Sequence, residues 1–250
     1  MSRPFERSSL ILSVILLVVS LVSARGQTIT SSKSPSSSVQ TQTQQTAPAV
    51  SEWFDDFNGT QLDEAKWERF TFEGGGGGKV EVKDGELRLR GANGTRAGVR
   101  SKQAFEGDRF IVEAHVAKVA PQLPTAGDKA GDLGFAALTI LFDSSGRNRI
   151  EWILTSEGTL EAWSVVDGAG ERLDNRKLGT KLKNPVLAVV RRGDEFLFVL
   201  NGPDSPAKDA QVGLTKVIKN MPRSFHVMLY GFGSSENNWD SARVVTAKQP

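Results

Sequence analysis

The sequence has no cysteine, only two histidines and a single tyrosine among its 250 residues. Without cysteine the chain can form no disulfide, no thiolate metal site, no cysteine nucleophile and no lipid-modified N-terminal cysteine. His115 and His226 alone provide too few side chains for a histidine-based zinc site or a catalytic triad. Each is interpreted as an ordinary strand residue. These absences exclude several enzyme classes before any motif is considered.

A strong charge of either sign is also lacking. Lys and Arg number 31 against 29 Asp and Glu, and the net charge of +2 produces no long-range field that would favour nucleic acid. The composition, 38% hydrophobic and 24% charged, is that of a soluble globular protein. We therefore expect a folded, monomeric domain with no nucleic-acid partner.

Met1–Ala24 has the pattern of a secretory signal peptide. It combines a basic start, an apolar run from Leu10 to Val22 and a small-residue cleavage site at Val22-Ser23-Ala24. An uncleaved membrane anchor is the alternative, but the apolar run is shorter than the ~20 residues that a span needs. We expect cleavage before Arg25 and a secreted, periplasmic or cell-surface protein with no membrane span after cleavage.

Residues 25–50 have the composition of a disordered tether. Gln27 to Val50 consists almost entirely of Ser, Thr, Gln, Pro and Ala, with Lys33 as its only charge. Such a segment buries too little apolar surface to offset the entropy of folding. The folded domain is therefore expected at 51–250, and about 200 residues is a normal size for one all-β sandwich.

Alternating runs separated by glycine turns predict an all-β fold. Lys79–Lys83 and Glu86–Arg90 flank Asp84-Gly85, and Val186 to Gly202 has a second hairpin pattern. The alternation places four residues of the first hairpin in the core: Val80, Val82, Leu87 and Leu89. No helix longer than two turns is evident, and Asp167 to Pro185 is interpreted as charged and irregular.

The central hairpin pattern runs from Arg147 to Val166, with Glu157-Gly158 at its turn. If these two residues alone form the loop, Trp152 faces Trp163, and the side chains separate into an apolar and a mixed face. The apolar face then holds Ile150, Trp152, Leu154, Glu161, Trp163 and Val165, and the mixed face holds Glu151, Ile153, Thr155, Leu160, Ala162 and Ser164. One extra residue in the turn would move Trp163 to the mixed face.

Short motifs near both ends of 51–250 resemble the concanavalin A-like lectin/glucanase superfamily. The opening motifs are Phe54-Asp55-Asp56-Phe57-Asn58-Gly59, Leu62-Asp63 and Lys66-Trp67. The closing motifs are Tyr230-Gly-Phe-Gly, Trp239-Asp240 and Arg243-Val244-Val245. The hairpin at Val186 is also similar to those of laminin G-like domains. This resemblance implies a β-sandwich (jelly roll) of two antiparallel sheets, in which the closing strand pairs beside the first.

Family-16 glycoside hydrolases share the implied fold and carry a strand reading Glu-x-Asp-x-x-Glu or Glu-x-Asp-x-Glu. The nearest match begins at Glu151, but Ile153 stands at the Asp position and Glu157 lies in the turn, about 20 Å along an extended strand. A retaining mechanism needs two carboxyl groups about 5 Å apart. We assign no catalytic residue, although a glucanase or keto-disaccharide hydrolase with unassigned residues stays an alternative.

The resemblance, together with the tryptophans, predicts a non-catalytic, lectin-like domain that binds polysaccharide. Sugar rings stack on aromatic side chains while polar neighbours bind the hydroxyls. Trp163 is the expected stacking residue, Glu151 the expected hydrogen-bond acceptor and Trp152 a further candidate. If the mixed face is the groove, however, Trp152 belongs to the core. A structural or interaction domain without sugar binding is the third reading.

The resemblance also implies a structural calcium ion. Concanavalin A-like domains often carry one where the first and last strands meet, and Asp56 and Asp240 lie on the segments that match those strands. Carboxylate oxygens suit Ca²⁺, but two residues are too few for a full coordination shell. Backbone carbonyls and water would have to complete it, and surface carboxylates in turns explain the two residues equally well.

Overall fold

The computed structural model describes residues 50–70, 78–91, 96–119, 134–178, 185–201, 211–232 and 236–247. Every regular element in these residues is a strand. The strands are β1 (Val50–Asp55), β2 (Trp67–Arg69), β3 (Lys79–Lys83), β4 (Glu86–Arg90), β5 (Arg96–Ser101), β6 (Phe105–Glu106), β7 (Arg109–Val119), β8 (Phe135–Leu141), β9 (Arg149–Thr155), β10 (Thr159–Val166), β11 (Ala169–Lys177), β12 (Val186–Arg192), β13 (Glu195–Asn201), β14 (Gln211–Val217), β15 (Ser224–Phe232) and β16 (Glu236–Ala247).

The strands form two antiparallel sheets of eight strands each. Sheet I has the order β14-β13-β12-β7-β16-β4-β3, and β1 pairs with β16 beside β4. Sheet II has the order β11-β10-β9-β8-β15-β5-β2, and β6 pairs with β15. The predicted all-β sandwich of two antiparallel sheets is confirmed.

The main core fills the space between the sheets. Its largest side chains include Trp67, Trp152 and Trp239, which are at most 1% exposed. Trp67 is fixed at the start of sheet II because its indole Nε1 donates to Asp55 Oδ2 at 2.7 Å. The first and last strands thus contribute to one continuous core.

The two clearest hairpin predictions are confirmed. Asp84 and Gly85 have φ angles of 56° and 76°, which a tight two-residue hairpin turn requires at both central positions. The four predicted core residues of this hairpin are buried: Val80, Val82, Leu87 and Leu89. β12 and β13 form the second hairpin with Gly193 at its turn, where φ is 64°.

The closing strand pairs beside the first, as the resemblance implied, with Val50 opposite Ala247 and Asp55 opposite Ala242. The expected irregular segment 167–185 is wrong in its first half, because Ala169–Lys177 forms the edge strand β11 against β10. β11 is mostly exposed, so it lacks the apolar alternation that marks a buried strand.

The signal peptide and most of the tether predicted for 1–50 lie outside the described residues. Within the part of the chain that the structure describes, no helix is long and apolar enough to cross a membrane.

Candidate functional site

The β9–β10 turn sets which side chains of this hairpin share a face. Gly158 adopts a φ of 76°, and its N–H donates to the Thr155 carbonyl at 2.9 Å. The Thr159 N–H donates to Thr155 Oγ1 at 3.0 Å, and the paired strand resumes with Leu154 opposite Leu160. The predicted two-residue loop is therefore wrong by one residue, since the turn contains one residue more.

This extra residue places the two hairpin tryptophans on opposite faces of sheet II. Trp152 is opposite Ala162 and points into the core, where it is 1% exposed and donates from Nε1 to the Val199 carbonyl at 2.9 Å. It cannot stack on a ligand, and the assignment of Trp152 as a sugar-binding candidate is corrected. Trp163 is opposite Glu151 on the outer face and is half-buried.

One cross-strand row runs across the full width of this outer face, and we call it the central row. Its members are Glu68, Arg100, Met228, Thr139, Glu151, Trp163 and Arg172, each the Cα partner of the next. They come from seven adjacent strands, β2 to β11 in sheet order. With strands about 4.8 Å apart, the row is roughly 29 Å long.

A second apolar cluster, separate from the core, forms the floor around the central row. Its buried members are Ala137, Leu141, Ile153, Met228 and Tyr230, and the partly buried aromatics Phe70, Phe135 and Trp163 pack against it. Gly98 makes room for this cluster, because a Cβ on it would lie 2.8 Å from the Tyr230 Cβ. The outer face of sheet II thus combines an apolar floor with aromatic rings that keep some exposure.

Glu151 is the polar centre of this floor. It is 6% exposed, and its Oε1 accepts hydrogen bonds from the Tyr230 hydroxyl at 2.8 Å and from Arg149 Nε at 2.9 Å. Burial and the neighbouring Glu151 raise the pKa of Tyr230 well above its ordinary value of 10.0. Tyr230 therefore stays protonated and serves as a fixed donor, while Glu151 is held in place as an acceptor.

Thr139 lies beside Glu151 on the neighbouring strand β8. Its side chain is fully buried, and among the described residues its Oγ1 has no hydrogen-bond partner. A buried hydroxyl without a partner is uncommon in native proteins, because the lost hydrogen bond costs about 1–3 kcal/mol. Thr139 thus marks a buried polar position on the floor.

Glu161 is the second carboxylate near Trp163. Its Oε2 accepts from Trp163 Nε1 at 2.9 Å and its Oε1 from Asn175 Nδ2 at 3.5 Å, which hold the indole in one orientation. Glu161 pairs with Ile153, two residues along β9 from Glu151, and such diagonal neighbours are about 7–8 Å apart at Cα. The face therefore offers two carboxylates from adjacent strands rather than from one strand.

Sequence reasoning identified Glu151 and Trp163 but missed Tyr230, Arg149 and Thr139. Tyr230 alternates with Met228 and Phe232 along β15, which indicates a shared face. Tyr230 meets Glu151, however, because β15 lies only two strands from β9 in the sheet. The order of strands in a sheet cannot be predicted from a local sequence pattern.

The two residues predicted to bind calcium lie near the junction of β1 and β16. Asp56 accepts hydrogen bonds from the Asn58 backbone N–H at 3.3 Å and the Asn58 Nδ2 at 2.5 Å, so both of its oxygens have partners. Asp240 lies in β16 where the pairing with β7 is irregular. In the described ranges no group of three or more acidic, histidine or cysteine side chains could hold a metal ion. The donor set is poor, and the calcium site stays a prediction.

No protein-family model matches the sequence, and no curated protein matches it. Solved structures match the fold. The catalytic domain of an endo-1,3-beta-glucanase (laminarinase) from Thermotoga petrophila is 12% identical with a TM-score of 0.57, covering 81% of this chain and 100% of that one. An endo-acting O-glycanase of the human gut microbiota is 18% identical with a TM-score of 0.56, covering 78% and 99%.

An immunostimulatory antigen and pseudo beta-1,3-glucanase of Mycobacterium tuberculosis is 14% identical with a TM-score of 0.54, covering 79% of this chain and 98% of that one. At these identities the likeness establishes the fold and no activity. Together with the two antiparallel sheets, it shows that the described residues between 50 and 247 fold as a jelly-roll β-sandwich, the fold that the sequence resemblance implied.

Proposed function

We propose that the outer face of sheet II binds a polysaccharide and that the domain is an exported, non-catalytic carbohydrate-binding domain. The observation that carries the proposal is the direct pairing of Trp163 with Glu151 in the central row. An aromatic ring for stacking and a carboxylate for hydroxyl groups then lie side by side on one surface. The neighbours described as glucanases and a glycanase use the same fold for glycans, which supports this reading.

The row also suits a linear polymer better than a single sugar. It crosses the whole sheet, and partly exposed aromatics lie near both of its ends, Phe70 on one side and Trp163 on the other. Because much of the floor is buried, a polysaccharide would make few contacts, and the ordering of the ligand would offset much of the binding energy. We expect micromolar to millimolar affinity, about 4–8 kcal/mol.

The test is affinity electrophoresis of the folded domain through a panel of soluble polysaccharides. Wild type is compared with Trp163→Ala and with Phe54→Ala, a matched control that removes an exposed aromatic from sheet I. Circular dichroism checks that both variants fold. Binding should fall at least tenfold in Trp163→Ala and stay unchanged in Phe54→Ala. Retained binding in folded Trp163→Ala removes Trp163 from the site, and no binding to any glycan favours a structural domain.

A glycan hydrolase is the second candidate, and the diagonal pair Glu151 and Glu161 favours it. Their expected Cα separation of about 7–8 Å is compatible with two carboxyl groups acting on one sugar. Each carboxylate, however, is already engaged by neighbouring donors. Release of reducing sugar by wild type, abolished in both Glu151→Gln and Glu161→Gln, would establish the hydrolase and overturn the non-catalytic reading.

Export rests on the pattern of Met1–Ala24 and is tested separately. N-terminal sequencing of the protein expressed with its own leader should find a mature chain that starts at Arg25. Retention of Met1 on membrane-bound protein would contradict cleavage.

A further inference from the structure

Three arginines lie over aromatic rings along the outer face of sheet II. Arg100 Cζ lies 4.4 Å from the Phe70 ring centroid, Arg96 Cζ 5.8 Å from that of Phe232, and Arg172 Cζ 5.9 Å from that of Trp163. These distances are within the range of cation–π interactions, about 6 Å. The pairs are spread across the width of the sheet, from β5 to β11.

Each guanidinium covers part of the ring that it stacks on. A neutral sugar then competes with the arginine for that ring face. The exposed guanidinium of Arg172 keeps its N–H donors at its edge, in a planar fork that matches a carboxylate or a sulfate group. The pair of Arg172 and Trp163 therefore offers an anionic sugar a combined aromatic and cationic contact, which a neutral sugar uses less well.

Two acidic side chains of the same face are paired with arginines and oppose an incoming anion only weakly, whereas Glu161 accepts hydrogen bonds from Trp163 and Asn175. Glu68 is bound by Arg100 at 2.6 Å, and Glu151 is bound by Arg149 at 2.9 Å. Arg172, at the end of the central row, is exposed and forms no ion pair with the described residues. Arg96 and Arg149 both act electrostatically on the Tyr230 hydroxyl, so positive charge flanks the centre of the face.

We propose that the polysaccharide bound on this face is anionic and carries carboxylate or sulfate groups that pair with Arg172, while Arg96 adds positive charge to the face. The inference rests on the proposed function and adds the chemical class of the ligand. The net charge of the whole chain is only +2, so general attraction to polyanions is weak and the arginines of this face supply the contact.

The experiment uses matched pairs of polysaccharides that differ only in charge. Polygalacturonate is compared with its fully methyl-esterified form, and dextran sulfate with dextran, which separates carboxylate from sulfate as the source. We expect the charged member of at least one pair to bind at least tenfold more tightly at about 50 mM salt. That preference should decline as salt rises toward about 500 mM, because screening weakens exposed ion pairs.

Two variants localise the effect. Arg172→Gln should weaken binding of the charged polymer about tenfold, which corresponds to about 1.4 kcal/mol, because the charged donors of the guanidinium are lost. The double variant Arg96→Gln with Arg172→Gln should lose the preference, while circular dichroism confirms its fold. Arg192→Gln is the matched control, because it removes the same charge from the β12–β13 hairpin of sheet I.

The outcomes separate this inference from the proposed function. Equal binding of charged and neutral polymers that is lost in Trp163→Ala overturns the anionic class and leaves carbohydrate binding standing. An equal loss of affinity in Arg192→Gln and Arg172→Gln shows attraction to the whole surface and also overturns the inference. Absence of binding to every polymer overturns both.

Discussion

The two faces of sheet II are built by the same strands and differ in almost every other respect. The inner face presents fully buried side chains such as Leu138, Trp152 and Leu229 to the core. The outer face alternates with them and presents Glu151 and Trp163 within the central row, most of whose members are charged. Most of the core packing thus lies on one side of each strand and the proposed ligand contacts lie on the other. Substitutions at neighbouring positions of one strand should therefore affect either stability or binding.

The largest effect is expected from the two hairpin tryptophans. Trp152→Ala should lower the free energy of unfolding by about 3–5 kcal/mol, because it leaves a cavity in a packed core and removes the hydrogen bond to Val199. Trp163→Ala should cost no more than about 1–2 kcal/mol, since the indole is only partly buried. Urea unfolding of both variants measures the difference. Equal costs would contradict the division between the faces.

Tyr230→Phe should have an intermediate effect on stability. The substitution keeps the ring in the apolar floor but removes the donor to buried Glu151, which costs about 1–3 kcal/mol at neutral pH. Urea unfolding at pH 7 measures this cost. Phe135→Leu, which alters a partly exposed ring of the same cluster without touching Glu151, is the matched control.

Alkaline titration tests the same hydroxyl without any substitution. The pKa of Tyr230 is raised in the folded protein, so its contribution to stability is full below the unfolded-chain pKa of about 10 and is lost as pH rises above it. Tyr230 is the only tyrosine of the chain, so tyrosinate absorbance reports this one group. Absorbance should rise only as the protein unfolds. Titration near pH 10 in a folded protein would contradict the buried hydrogen bond.

The sequence predicted the fold well because glycine turns and strict alternation mark hairpins locally. It missed β11 because Ala169–Lys177 is a mostly exposed edge strand in which Leu173 is the only large apolar residue, so no alternating pattern appears. In β9 the residues on both faces are buried, from Ile150 to Thr155, so polarity did not show which face is the core. The face on which Trp163 lies depends on whether the β9–β10 turn has an even or an odd number of residues. The dipeptide Glu157-Gly158 does not reveal that number.

A smaller effect is expected on the outer face of sheet I, where Glu113 lies 3.6 Å from Arg243. Burial raises the pKa of Glu113 above its ordinary value of 4.5. Its contribution to stability is therefore full below that value and is lost as pH rises through the raised pKa. Glu113→Gln should remove this loss, so wild type and variant should diverge in melting temperature between pH 4.5 and 7. A constant difference across that range would contradict the raised pKa.

The smallest effect is expected from calcium. If Asp56 and Asp240 help to bind the ion, calcium at a concentration equal to its Kd should stabilise the fold by about 0.4 kcal/mol, and chelator should reverse this. Asp240→Ala should abolish the response, and polysaccharide binding on sheet II should not change. An unchanged melting temperature with chelator, matched by wild-type melting of Asp240→Ala, would rule the site out.

The position of β16 has a consequence for the order in which the molecule folds. In the described part of sheet I, strands β1, β3 and β4 connect to β7, β12, β13 and β14 only through β16. The ribosome makes residues 236–247 after all of these, so neither half of the sheet can join the other during most of synthesis. Pairings of such long sequence separation form slowly. The two halves of sheet I can therefore pair through β16 only late in synthesis.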